Sequence, residues 1–319
     1  MFVQVLSTIF PVFSLVFVGW ALGKRHWISD IGLVDINKIV FYIAIPSLLF
    51  RSVVMSDGVN FNASSLFLTY YIGVLSIYGA CFIIGQVVFK LNIREAAVMA
   101  MASTFSNNLM VAFPILQFGW GEAATVRLFA LLSIHATVLW GITLILIEVG
   151  AARQSEAKFN LKKSILTILK NLAKNPILIA LTLGGIWHLT GYHLPAFLDN
   201  LLSFTGRMAA PLTLFALGVS LSRFSLDNNR VEPAFIVFIK CFFLPLFIYI
   251  LGRFIFKLDD TGVIVTTIMA AASVGANPYI LAQNYNIYKR RVATSFLLSV
   301  CTVIFTYMFL LYAFFKGIL

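Results

Sequence analysis

Ten apolar runs of about twenty residues follow one another along the chain, at 2–23, 29–53, 65–89, 95–118, 122–148, 176–190, 196–221, 232–256, 261–284 and 292–315. Short stretches marked by charge, glycine, proline or asparagine separate them. Runs such as FIIGQVVF and LLSVCTVIFTYMFLLYAFF lack the apolar/polar alternation of a lipid-facing barrel strand. They predict helices, because a helix satisfies its own backbone in hydrocarbon and ~20 residues span the bilayer core. The pattern therefore predicts an all-α polytopic membrane protein with ten transmembrane helices.

The stretch 150–174 is the one sizeable loop, and its second part, NLKKSILTILKNLAK, sets Ile165, Ile168, Leu169 and Leu172 on one helical face against lysines. That spacing suits a helix lying at the membrane interface. The loop separates a first five-helix repeat (1–149) from a second (175–319), in which landmarks recur. IPSLLF in the second span places Pro46, and APLTLF in the seventh places Pro211. SNNLMVAFP in the fourth span puts Asn107 sixty-one residues after Pro46, and SVGANPY in the ninth puts Asn277 sixty-six residues after Pro211. Repeats with an odd number of spans must lie upside down relative to each other, which is a transporter signature.

The fourth and ninth spans carry the chemistry. Asn107 and Asn108 offer side chains that compete with the backbone, and Pro278 removes a donor and disfavours helix at Asn277. Spans 4 and 9 are therefore expected to be broken helices meeting at the midplane, the alternative being a simple kink in each. Half-helix N-termini at such a point favour an anion. All twelve acidic residues lie in loops or near span ends, whereas Lys240 and Arg207 lie roughly 10 residues from either end of their spans. A mid-membrane cation costs about 2.5–3.5 kcal/mol on insertion scales, so each either pairs with backbone carbonyls or serves function. His135, near the centre of the fifth span, either carries a proton or makes an interhelical hydrogen bond. The candidate substrate-binding set is thus Asn107, Asn108, Asn277, Pro278, Lys240, Arg207 and His135.

Charge and composition sharpen this. Hydrophobic residues make up 61% and charged residues 11%, with a net charge of +11. No basic block is long enough to suggest a nucleic-acid partner. With the N-terminus outside, cytoplasmic loops hold fifteen Lys and Arg and outer segments five, a positive-inside bias that puts both termini outside. Cys81, Cys241 and Cys301 lie in apolar stretches without a CxxC pair, so neither disulfide nor zinc is indicated. No GxxxxGK[ST], HExxH or GxSxG appears, which argues against an enzyme and direct ATP drive. No cofactor or metal is expected.

Four segments, INKIVFYIAIPSLLF, FSNNLMVAFP, KCFFLP from Lys240 to Pro245, and ANPYILAQNYN, resemble the auxin efflux carrier family. The resemblance covers essentially the whole chain and includes the bacterial malate and malonate permease branch. It implies two inverted repeats, crossed broken helices at the substrate site, and an elevator-like motion of spans 3–5 and 8–10 against spans 1, 2, 6 and 7. The family's fourth- and ninth-span asparagines fall on Asn107 and Asn277. Leu109 and Ala112 stand where the family usually has glycine, and Ser273 where it often has proline. The expected function is a secondary carrier of small organic anions, dicarboxylates or auxin-like acids, in the plasma (inner) membrane. The alternatives are a sodium- or proton-coupled symporter of the bile-acid type, or a channel. Expected partners are a small carboxylate substrate, the lipid bilayer and a second copy of the chain as a homodimer. Single cysteines at Ser155 and Lys316 are expected to label from opposite sides of intact cells; same-side labelling would overturn the inverted repeat.

Overall fold

A computed structural model describes residues 2–55, 62–152, 174–223 and 230–319. The interfacial helix expected within 150–174 lies almost wholly outside them. Among the described residues the secondary structure is helix joined by short turns, with one isolated antiparallel bridge, Ser106 to Val274. Six of the described helices are long and apolar enough to cross a membrane: Asp30–Val54, Ala63–Val87, Asn108–Ala151, Ala196–Leu221, Val231–Ile255 and Lys289–Phe315. Shorter apolar helices cover Ser14–Lys24, Pro176–Leu189 and Asp260–Ala271.

Local chemistry fixes where these helices begin. Asn92 and Glu95 form a reciprocal capping box at the start of Ile93–Thr104, satisfying two orphan backbone donors. Ser29, Asn62 and Asn175 cap the helices that follow them through their side-chain oxygens.

Proline shapes the helix interiors. Of the four π-helical segments among the described residues, three, Val40–Ala44, Asn108–Ala112 and Ile239–Phe243, end two residues before a proline (Pro46, Pro114 and Pro245), and Leu251–Ile255 does not. Proline has no N–H for the carbonyl four residues back, and its ring clashes with that carbonyl. One wider turn accommodates the defect. Accordingly Ile45 N–H donates to Val40 O and Leu244 N–H to Ile239 O, five residues back. Pro211 has a different outcome. The span Ala196–Leu221 remains one membrane-length run, with a turn at Arg207 and Met208 between Ala196–Gly206 and Ala209–Leu221. The joint is Arg207, the residue whose carbonyl the Pro211 ring would meet.

The chain forms two compact units, each drawing on both halves of the sequence. The first comprises 1–61, 109–133 and 173–223; the second comprises 62–108, 134–172 and 224–319. In the first unit, Phe2–Lys24 packs against Ala209–Leu221 along a seam of small residues. A Cβ on Gly19 would lie 2.2 Å from Phe215 O, and one on Gly218 would lie 2.0 Å from Val16 O. Gly23 faces Ser222 in the same way. Gly19 and Gly23, like Gly218 and Ser222, are four apart, the small-xxx-small spacing that lets membrane helices meet backbone to backbone.

In the second unit, the run Ala96–Ala102 is fully buried, its four alanines leaving room for close packing and Met99 and Met101 filling the space between helices. At the start of Lys289–Phe315, Tyr288 donates to Glu232, whose other oxygen takes Arg291. Burial and the Glu232 carboxylate hold the Tyr288 phenol above its ordinary range, so it remains a donor through the physiological range.

Gly218→Val drives side-chain atoms into backbone, which nothing nearby can vacate. We expect it to lower the melting temperature of the detergent-purified protein sharply or abolish folded yield, whereas Gly79→Ala, with open space at its Cβ, leaves both unchanged.

Candidate functional site

The site is built around two interruptions in the second unit. Ile93–Thr104 ends where Phe105 turns extended (φ −77°, ψ 110°), and helix resumes at Asn108. Asp260–Ala271 ends where Ala272 turns extended (φ −57°, ψ 151°), and helix resumes at Ala276. The extended segments run antiparallel and exchange backbone hydrogen bonds. Asn107 N–H donates to Ser273 O at 2.8 Å, and Gly275 N–H donates to Phe105 O at 2.9 Å. Gly275 permits this approach, because a Cβ there would lie 2.6 Å from Phe105 Cδ1.

Side chains from other helices satisfy what remains of the broken backbone. Ser299 Oγ accepts from Val274 N–H at 2.9 Å and donates to Phe296 O at 2.8 Å. Of the last four carbonyls of Asp260–Ala271, Ile268 O accepts from the Tyr307 hydroxyl at 3.0 Å, and Ala270 O accepts from Lys240 Nζ. Such carbonyls have no intrahelical donor, and a cation beside them is favoured by the helix dipole. Lys240 is fully buried, in the π segment preceding Pro245. Of the two readings open for it in the sequence, the observed contact is the backbone pairing.

His135 is also fully buried in this unit, with ring centroids of Phe105 at 4.8 Å, Tyr70 at 5.7 Å and Tyr71 at 6.5 Å. Neither ring nitrogen has a hydrogen-bond partner among the described residues. The same holds for the Asn107 Nδ2, Thr267 Oγ1 and Ser273 Oγ atoms. The Tyr70 hydroxyl lies beside the side chains of Ser106 and Asn108. A buried polar atom without a partner costs about 1–3 kcal/mol, so a group of them is unusual in a packed interior.

Asn277 is half-buried and Pro278 buried, in the first turn of Ala276–Asn284. Asn107, Asn108, Asn277, Pro278, Lys240 and His135 thus all belong to the second unit. Arg207 does not. It is exposed, at the joint between Ala196–Gly206 and Ala209–Leu221 in the first unit. The sequence reading did not single out Tyr70, Ser299 and Tyr307. Their one signal was a polar group inside an apolar span.

These features describe a helical membrane protein whose interrupted helices meet at a buried polar centre, the class to which membrane transporters belong. The chain belongs to the membrane transport protein family, whose model matches residues 4–311 and which is the auxin efflux carrier family that the four segments resemble. It is 22% identical over 320 residues to a Rhizobium meliloti (strain 1021) protein named "Putative malonate transporter", covering 99% of this chain and 98% of that one. An uncharacterized transporter of Escherichia coli (strain K12) is 23% identical over 302 residues, covering 94% and 95%. One from Methanocaldococcus jannaschii is 27% identical over 231 residues, covering 68% and 69%.

Ser299→Ala leaves the Val274 amide buried without an acceptor, at a cost of about 1–3 kcal/mol. We expect a lower melting temperature and impaired transport with normal membrane insertion. Unchanged melting would show that the crossing does not depend on this bond.

Proposed function

We propose that this chain is a secondary carrier that moves small carboxylates, dicarboxylates of the malonate class foremost, across the plasma membrane. The substrate binds where the two interrupted helices cross. The observation that carries this reading is the pairing of 105–107 with 273–275 beside buried polar side chains that lack partners. Helix N-termini resume directly after both extended segments, at Asn108 and Ala276. Their free N–H groups and dipoles favour a carboxylate, and Asn107, Asn108 and Asn277 add side-chain donors. Lys240 holds the end of Asp260–Ala271 and contributes positive charge to the same unit. The dicarboxylate preference draws support from the Rhizobium meliloti relative's name.

The chain in this reading forms ten transmembrane helices in two inverted five-helix repeats, with both termini outside, and works by an elevator-like motion. Supporting the division is the grouping of 1–61 and 173–223, which hold spans 1, 2, 6 and 7, in one compact unit. Spans 3, 8, 9 and 10 fall in the other, while 109–133 go with the first.

Reconstituted into proteoliposomes, the protein is expected to take up radiolabelled malonate saturably and to exchange it for unlabelled malonate. Removing one hydrogen bond to a charged ligand costs about 1.5–3 kcal/mol, a roughly ten- to hundredfold loss of affinity. Asn107→Ala and Asn277→Ala should raise the apparent KM by that order while insertion stays intact. Unchanged KM in both variants would make the breaks structural kinks and remove the substrate from the crossing.

A further inference from the structure

The first unit has a cleft of about 310 Å³ of its own, formed by residues from 48–51, 113–122 and 202–211. Its walls are largely apolar, with Leu48, Phe113, Phe118, Leu202, Ala210 and Pro211 among them. Its polar groups are Arg51, Gln117, Glu122, Ser203 and Arg207.

The two arginines differ in kind. Arg51 is committed: its Nε donates to Asp199 Oδ1 at 2.7 Å, its Nη2 to Asp199 Oδ2 at 3.4 Å, and its Nη1 reaches Glu122 Oε1 at 3.5 Å. Asp199 takes the close, two-point contact and Glu122 a longer one, so Arg51 is fully engaged and the trio carries one excess negative charge. The Arg207 guanidinium has no ion-pair partner among the described residues. Arg207 also sits in the middle of the apolar run 196–221, eight residues beyond Asp199. A guanidinium facing lipid at that position would carry a large penalty, and one facing a water-filled cleft does not. With the Arg51 group spoken for, Arg207 is the one cation of the cleft without a carboxylate of its own among the described residues, and apolar walls strengthen its field on an anion that enters beside it. The planar guanidinium matches a carboxylate with two parallel N–H donors, and the Ser203 hydroxyl and Gln117 amide add donors in the same cleft.

We propose that this cleft is a second carboxylate-binding site, centred on Arg207 and independent of the crossing in the second unit. It rests on the reading of the chain as a carboxylate carrier in the ligand it assigns, but on different residues. A carrier with two sites captures its anion at one while the other is occupied. The stoichiometry of binding then exceeds one per chain.

Equilibrium binding of radiolabelled malonate to the detergent-purified full chain tests this, with Arg207→Gln and Asn107→Ala measured beside the parent. Arg207 is exposed, so melting temperature should be unchanged in Arg207→Gln and any loss is one of binding. The expected result is two sites per chain. Arg207→Gln weakens one at least tenfold, Arg207→Lys restores it in part, and Asn107→Ala weakens only the other. A single site lost in Asn107→Ala and untouched by Arg207→Gln overturns the second site and leaves the carrier reading standing. A single site lost only in Arg207→Gln supports the cleft and overturns the crossing as the binding place. No malonate binding to the parent protein overturns both.

Discussion

A peptide group in hydrocarbon has no water to fall back on, and this constraint governs the interruptions in the second unit. Each interruption exposes donors and acceptors that its own helix no longer uses. Neither could be afforded alone; paired antiparallel, the N–H of Asn107 and the carbonyl of Phe105 find Ser273 and Gly275 on the opposite segment. The remaining groups recruit Ser299, Tyr307 and Lys240 from other helices. The polar side chains of this unit are therefore divided between those that repair backbone and those left over. The leftover ones, His135, Asn107, Thr267 and Ser273, hold hydrogen-bonding capacity that the protein itself does not consume.

The two units solve different packing problems. In the first, glycine and serine let backbones touch along the 16–23 and 215–222 seam, and no polar group needs rescue there. Among that unit's ion pairs, Arg51 ties Asp199 and Glu122 from distant parts of the chain, while Arg223 pairs with Asp30 and Lys38 with Asp35. In the second, Gly73 against Ile248 and Gly150 against Arg94 also allow close approach, and Gly275 against Phe105 is the contact that serves the crossing.

Much of this was legible beforehand, for identifiable reasons. Apolar run length predicts helices, and Asn107–Asn108 and Asn277–Pro278 mark the interruptions because their defects are local and chemical. What the pattern could not supply was partnership. That Lys240 meets the carbonyl of Ala270, thirty residues away, depends on how helices pack, and nothing in the local sequence of either encodes it. Arg207 was grouped with the crossing because depth along a span is readable while lateral position is not. Pro211 shows a related limit: proline marks a defect, but whether it yields a wide turn or a tight one, as at Arg207 and Met208, depends on the packing around it. Ser299 and Tyr307 escaped notice because an isolated hydroxyl in an apolar span is common and says little without its neighbour.

The wide turns before Pro46, Pro114 and Pro245 carry a further meaning. A π segment holds one residue more than the α-helix it interrupts, so the helix beyond it is rotated by about 100° from where unbroken winding would place it. Each of these helices therefore presents two faces out of phase. The rotation introduced at 40–44, 108–112 and 239–243 sets which side chains of the helix beyond each one face inward.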